Sequence, residues 1–245
     1  MSLSMELFGA TDVGRVRRNN EDGFTIAPEL GLAVVADGMG GAACGEVASA
    51  ITLETLLKFV RDPAETLTPE ELLKEAVRSC NQRVRQASID QTGCMGMGST
   101  VVAACWRDNH IWIANVGDSR AYRWRDGELT QVSFDQNVAN ELRVNLRFTE
   151  EQINRHPHKN ALTMAIGSSN EILVRVWEAD LEPGDLFLLC SDGLYGPIGQ
   201  EAIVRHLRET MGLAESVEKM ISLANERGGP DNITVILMRW DENLL

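Results

Sequence analysis

The chain has 245 residues, with 36 Asp and Glu against 23 Lys and Arg, a formal charge of −13 and 44% apolar residues. That length and apolar share suit a globular protein with a sizeable core, and the acidic balance argues against a nucleic-acid binder. No apolar run approaches the ~18–20 residues that span a bilayer, the N-terminus lacks a signal-peptide layout, and the five cysteines show no CxxC spacing; the expectation is a cytoplasmic protein in a reducing compartment, without a membrane partner.

Along the chain, short runs rich in β-branched and aromatic residues predict strands at 6–10, 24–27 and 32–36. Helices follow at 46–60 and 69–88. Thr68-Pro69-Glu70-Glu71 opens the second with a capping box and Pro in the first helical position. The stretch 93–98 lacks the spacing of a dinucleotide loop and reads as a flexible entry to a strand. Strands are expected at 100–106, 111–116, 121–124 and 129–132, with Asp126-Gly127 as the hairpin turn between the last two. Segment 133–160 is polar, fits no layer and reads as a surface flap. It contains one short helix, opened by a capping box between Thr149 and Gln152. Strands at 162–166, 173–179 and 186–190 come next, with Pro183-Gly184-Asp185 as a turn. Helices at 200–210 and 214–227 precede a final strand at 233–240.

Consecutive strands interrupted by two helix pairs are not the βαβ alternation of a doubly wound fold. The expectation is an α+β protein, one domain over 1–245. Two antiparallel sheets pack face to face with a helix pair outside each, a four-layer αββα sandwich.

Four acidic turns carry the chemistry. Asp37, Asp118 and Asp192 close apolar runs, and Asp231 opens one. A carboxylate at such an edge needs a partner, because burying an unpaired charge costs several kcal/mol or more. Several carboxylates without interleaved Lys point to a divalent cation. Mg²⁺ and Mn²⁺ prefer carboxylate, carbonyl and water oxygens. Asp37-Gly38 offers a carboxylate and an unhindered carbonyl, and Glu21-Asp22 can contribute through water. Two such cations, about 3.5–4 Å apart on a bridging carboxylate, activate water for in-line attack on phosphorus. Each Asp taken alone reads more readily as a turn or cap residue than as a ligand; the set of four favours metal. Arg17, in a basic run just before Glu21, either holds phosphate in its planar fork or is simply solvated. Zinc is disfavoured, since the four histidines form no HExxH and no Cys cluster accompanies them. The chain also lacks GxxxxGK[ST], a Cys six positions before an Arg, and GxSxG. Walker-type, cysteine-phosphatase and serine-hydrolase chemistries are thereby excluded.

Six motifs then occur in one order: Gly14-Arg15-Val16-Arg17-Arg18-Asn19-Asn20-Glu21-Asp22, Val35-Ala36-Asp37-Gly38-Met39-Gly40-Gly41, Gly96-Met97-Gly98-Ser99-Thr100, Val116-Gly117-Asp118-Ser119-Arg120, Cys190-Ser191-Asp192-Gly193-Leu194, and Gly228-Gly229-Pro230-Asp231-Asn232-Ile233-Thr234. In that order they resemble the metal-dependent protein serine/threonine phosphatases of the 2C type, in their compact bacterial form, over about 8–240. The resemblance implies that Asp37 bridges two metals and the Gly38 carbonyl binds one. It implies that Asp192 and Asp231 complete one shell while Glu21 reaches the other through water. Asp118 then shares a third, weaker metal with Asp192, Arg17 binds phosphate, and Asp22 and Asn232 support the site. The implied cofactors are Mn²⁺ or Mg²⁺, two bound tightly and the third weakly. The implied reaction is hydrolysis of phosphoserine or phosphothreonine by direct attack of a metal-bridging hydroxide. Its targets would be phosphoproteins made by a cognate serine/threonine kinase. The alternative is a pseudophosphatase, the same fold used as a phosphoprotein-binding module. Some relatives carry His where this chain has Met39, which cannot act as a general acid. Asp135-Gln136 stands where Asp-His is frequent, and Met164 where Arg is frequent. The latter two departures bear on the flap contacts and substrate preference rather than on the metal centre.

Overall fold

A computed structural model of the chain describes residues 3–40, 44–63, 66–209 and 212–242. In chain order its first half comprises β1 (Leu3–Asp12), β2 (Asp22–Ala27), β3 (Leu32–Met39), α1 (Cys44–Arg61), α2 (Pro69–Asp90), β4 (Gly98–Ser99), β5 (Val101–Arg107) and β6 (His110–Val116). The second half comprises β7 (Arg120–Arg125), β8 (Glu128–Gln131), α3 (Val138–Val144), α4 (Glu150–Asn154), β9 (Arg175–Asp180), β10 (Asp185–Cys190), α5 (Asp192–Arg208), α6 (Leu213–Glu226) and β11 (Ile233–Glu242).

Alternation along the strands builds the layers. On β11, Ile233, Val235 and Leu237 join one apolar cluster with α5 and α6, while Ile236, Met238 and Trp240 join another. On β3, Leu32 and Val34 pack toward α1 and α2, while Ala33 and Val35 enter the same second cluster as Ile236. Period-two patterning thus gives each sheet a helix face and a sheet face, with one shared core between the sheets. The orders are β1-β11-β10-β7-β8 and β2-β3-β5-β6-β9, with β4 paired to β3. Every pairing is antiparallel. This is the expected αββα sandwich.

Local signals hold where the sequence supplied chemistry. The Thr68 hydroxyl accepts from the Glu71 amide, and the Glu71 carboxylate accepts from the Thr68 amide. The second capping box, Thr149 with Gln152, forms in the same way. Asp126 and Gly127 both adopt positive φ, 53° and 81°, which matches the twist of a two-residue hairpin.

Four expectations need correction. The run 162–166 is not a strand; it makes two isolated bridges, Asn137 with Leu162 and Ser99 with Ile166. Ile166 is buried in the cluster beneath α1 and α2, while Leu162 and Ala165 face a cavity instead of extending a sheet. The helix expected at 200 begins at Asp192 and breaks at Gly199 (φ 69°). Burial of Leu194 and Ile198 holds the extra turns despite Pro197. The expected end of that helix, at 210, lies outside the described residues. Segment 133–160 holds two short helices, because the Asn137 side chain accepts from the Asn140 amide and caps α3. Finally, Cys44 and Cys94 form a disulfide, with Cα atoms 5.5 Å apart. Lack of CxxC spacing did not exclude this bond, since the fold brings together residues fifty positions apart, and the cysteine argument for a reducing compartment fails. Cys80, Cys105 and Cys190 are buried thiols. Among the described residues no helix is long and apolar enough to cross a membrane.

Candidate metal centre

One end of the sandwich collects the motif residues because of strand direction. β3 carries Asp37 near its C-terminal end, β6 runs out into Asp118, and β10 runs out into Asp192. Their antiparallel neighbours begin at that same end. Asp22 opens β2 directly opposite Asp37, and Asp231 stands just ahead of β11. The result is a cavity of about 500 Å³ whose lining includes Arg17, Glu21, Asp37, Asp118, Asp192 and Asp231. Gly38, Met39 and Asn232 also line it, and residues 160–165 form the facing wall. Asp22 is not part of the lining. It accepts a hydrogen bond from the Ser191 hydroxyl at 2.7 Å.

The loops are fastened from behind. The Asn232 amide group donates to the carbonyls of Val13 and Asn19, both at 2.9 Å, and its oxygen accepts from the Glu21 amide at 2.8 Å. One buried side chain therefore ties the whole 13–21 loop to the head of β11. The Glu21 carboxylate accepts from the Gly45 amide at the start of α1. Thr100 of the third motif accepts from the Asp37 amide and shares a 2.6 Å hydrogen bond with Ser119, linking the second and fourth motifs. Gly38 and Gly193 are sterically required. A Cβ on Gly38 would lie 2.0 Å from the Gly45 carbonyl oxygen, and one on Gly193 would lie 1.9 Å from that of Asn232.

The electrostatics are those of crowded acids. Burial, reinforced by Asp22, Asp192, Asp118 and Asp231, pushes the Asp37 carboxyl well above the usual range. Burial likewise raises Asp22 and Asp118 to about 7 and Asp192 to about 6. Glu21 is raised by burial, with Arg17 opposing. Against these acids stands Arg17, whose Nη2 donates to Asp231 at 2.8 Å at the exposed rim. Arg120 lies behind. Its guanidinium grips the buried Asp135 carboxylate at 3.0 and 2.6 Å, donates to the Tyr122 hydroxyl at 2.9 Å and stacks 3.6 Å over the Tyr195 ring. The Tyr195 hydroxyl in turn donates to the Asp118 carbonyl at 3.0 Å.

The donor set fits a hard divalent cation. It is all oxygen, strongly negative and only partly matched by arginine. Among the described residues no three His, Cys, Asp or Glu side chains close into a ready ligand cluster; the carboxylates stand around the cavity instead.

The protein phosphatase 2C family model matches residues 15–238. The chain belongs to the protein phosphatase 2C family. The serine/threonine phosphatase Stp of Listeria monocytogenes is 34% identical over 237 residues, 94% of each chain. The protein phosphatase PhpP of Streptococcus pneumoniae is 34% identical, covering 97% of this chain and 98% of that one. The Mycobacterium tuberculosis phosphatase PstP superposes with a TM-score of 0.89 at 35% identity, covering 97% of this chain and 99% of the solved one. A structure of the PstP catalytic domain in complex with two manganese ions gives a TM-score of 0.87 at 34% identity, covering 98% and 100%.

Within this phosphatase 2C chain, the departures are structurally absorbed. Asp135 keeps its arginine partner, and Gln136 spans the Gly117 amide and the Leu173 carbonyl, each at 2.8 Å. Met39 and Met164 both line the cavity. Sequence reasoning missed the roles of Thr100, Asn137 and Tyr195 and, apart from Met164, the 160–165 wall. Thr100 sits inside a quoted motif and could have been found there. Asn137, whose amide donates to Asp118 at 3.2 Å, carried no signal beyond its capping residue type.

Proposed function

We propose that this chain is a metal-dependent protein phosphatase that hydrolyses phosphoserine and phosphothreonine, acting as one catalytic domain over 1–245. The observation that supports it most is a single cavity in which motif residues from separate parts of the chain meet as carboxylates, with one guanidinium at the rim. We assign Asp37, the Gly38 carbonyl, Asp192, Asp231 and Glu21 to two Mn²⁺ or Mg²⁺ ions, and Asp118 with Asp192 to a third, weaker one. When bound, the cations supply an activated water for in-line attack and neutralise charge on the phosphoryl oxygens.

The chain's own groups do the rest. Arg17, paired with Asp231 at the rim, would free that carboxylate for a cation and bind two phosphoryl oxygens in its planar fork. Asn232 and Thr100 keep the Glu21 and Asp37 backbones fixed, so little reorganisation accompanies the reaction. Asp22, behind Asp37, remains within the field of the cluster and accepts from Ser191. Met39 has no proton to give, so the leaving alkoxide takes its proton from water. The substrates are phosphoproteins made by a cognate serine/threonine kinase.

The test is phosphate release from a phosphothreonine peptide with Mn²⁺ and with chelator. Metal-dependent turnover is expected. Folded protein that binds Mn²⁺ and releases no phosphate would instead assign the chain to phosphoprotein binding without catalysis.

A further inference from the structure

A second cavity, of about 430 Å³, lies against the first. The two share a wall, since Thr163 and Met164 line both. On the far side of that wall stand Phe134, Val144 of α3 and Leu173. These side chains are left in water: Phe134 is 36% exposed, Val144 52% and Leu173 53%. Large apolar side chains in that state, lining a concavity rather than scattered singly, mark a surface awaiting a partner.

The cavity is held open by its polar frame. Asp135 and Gln136 line it, and both are spoken for. Asp135 is gripped by Arg120, while Gln136 bridges the Gly117 amide and the backbone of Leu173 itself. The Arg175 guanidinium lies 4.3 Å above the Phe134 ring and fixes that face. The same bonds anchor the cavity to the loop bearing Asp118, so it is built on the catalytic frame.

We propose that this cavity is a substrate subsite that takes one apolar side chain, of leucine or phenylalanine size, a few residues from the phosphoresidue. The occupant follows from the shared wall. A polypeptide whose phosphoresidue sits in the carboxylate cavity and whose chain crosses Thr163 and Met164 places its neighbouring side chain among Phe134, Val144 and Leu173. The inference deepens the phosphatase reading and rests on it.

The experiment uses the full chain with Mn²⁺ and two kinds of substrate. One is p-nitrophenyl phosphate, too small to reach the second cavity. The other is a set of phosphothreonine peptides, each with a single leucine moved through the positions on either side in an otherwise Ala/Asp background. One leucine position is expected to raise kcat/KM about tenfold, the discrimination a modest apolar pocket provides. Leu173→Glu and Val144→Glu alter half-exposed side chains outside the catalytic cavity. Each is expected to remove that gain while leaving turnover of p-nitrophenyl phosphate and of the leucine-free peptide unchanged. Equal kcat/KM across the peptides, with p-nitrophenyl phosphate still hydrolysed, would overturn the subsite alone. So would variants that lower turnover of every substrate in parallel. Loss of self-association in the variants, with flat peptide ranking, would assign the cavity to a second copy of the chain. No metal-dependent turnover of any substrate would overturn the phosphatase reading and the subsite with it.

Discussion

Removal of divalent metal should invert the ordinary response of this protein to pH. Asp22 and Asp118 sit at about 7 in the folded chain against 3.8 for the free group, Asp192 sits at about 6, and Asp37 is raised further. Burial is the leading cause at each. A carboxyl whose folded pKa lies above its unfolded value contributes stability that is fully present below the unfolded pKa. That contribution is lost as pH rises through the folded pKa. The window here therefore runs from about 4 to about 7. A rise from 3.8 to about 7 corresponds to about 4 kcal/mol for one group. The carboxyls share one field, so their shifts do not add, and about 4 kcal/mol serves for the cluster. For a chain of this length that is an upper bound of about 8–16 °C in Tm. The assay is thermal unfolding by circular dichroism in chelator at pH 5, 6, 7 and 8. Tm is expected to climb as pH falls. With saturating Mn²⁺ the trend reverses, because the ion binds the deprotonated acids. A Tm in chelator that rises from pH 5 to pH 8 would refute the crowded-acid account.

Four further outcomes follow from particular contacts. Gly193→Ala drives a methyl group into the Asn232 carbonyl oxygen; urea unfolding should show a loss of about 2 kcal/mol or more, with weakened Mn²⁺ binding by calorimetry. Arg120→Met strands the buried Asp135 carboxylate and should cost about 3–5 kcal/mol; adding Asp135→Asn should recover most of it, and no recovery would refute the pairing argument. Arg17→Ala breaks only an exposed pair with Asp231, so stability should move by less than about 1 kcal/mol, while kcat/KM on a phosphothreonine peptide drops about a hundredfold. Reduction of Cys44–Cys94, which closes a loop of 50 residues, should lower stability by about 2–4 kcal/mol in urea titration.

What the sequence disclosed was local. The alternation of Ile233, Val235 and Leu237 against Ile236, Met238 and Trp240 was readable as a strand with two buried faces. The Thr68 and Thr149 capping boxes were readable from residue type and spacing alone. Acidic turns at the edges of apolar runs marked four of the acids that line the cavity. What gathers those acids was not readable. The placing of β11 beside β10 is a long-range pairing that no local pattern encodes. The same holds for Cys44 with Cys94, for the capped turn at Asn137, and for the helical turns from Asp192 that form against their Gly and Pro content. In each, tertiary burial overrides local propensity.

The strand that closes the first sheet also comes last in chain order among the described strands. β1 has β11 as its one partner in that sheet, and β11 carries Asp231 and Asn232 at its head. A ribosome delivering the chain N-terminus first can complete the second sheet and α1 with α2 while β1 still hangs unpaired and β10 shows an open edge. Through that interval the 13–21 loop lacks its Asn232 latch and the cavity lacks a carboxylate. A chain interrupted before β11 can therefore fold much of its mass around an unfinished centre, and the complete acid cluster comes only once Asp231 has been added.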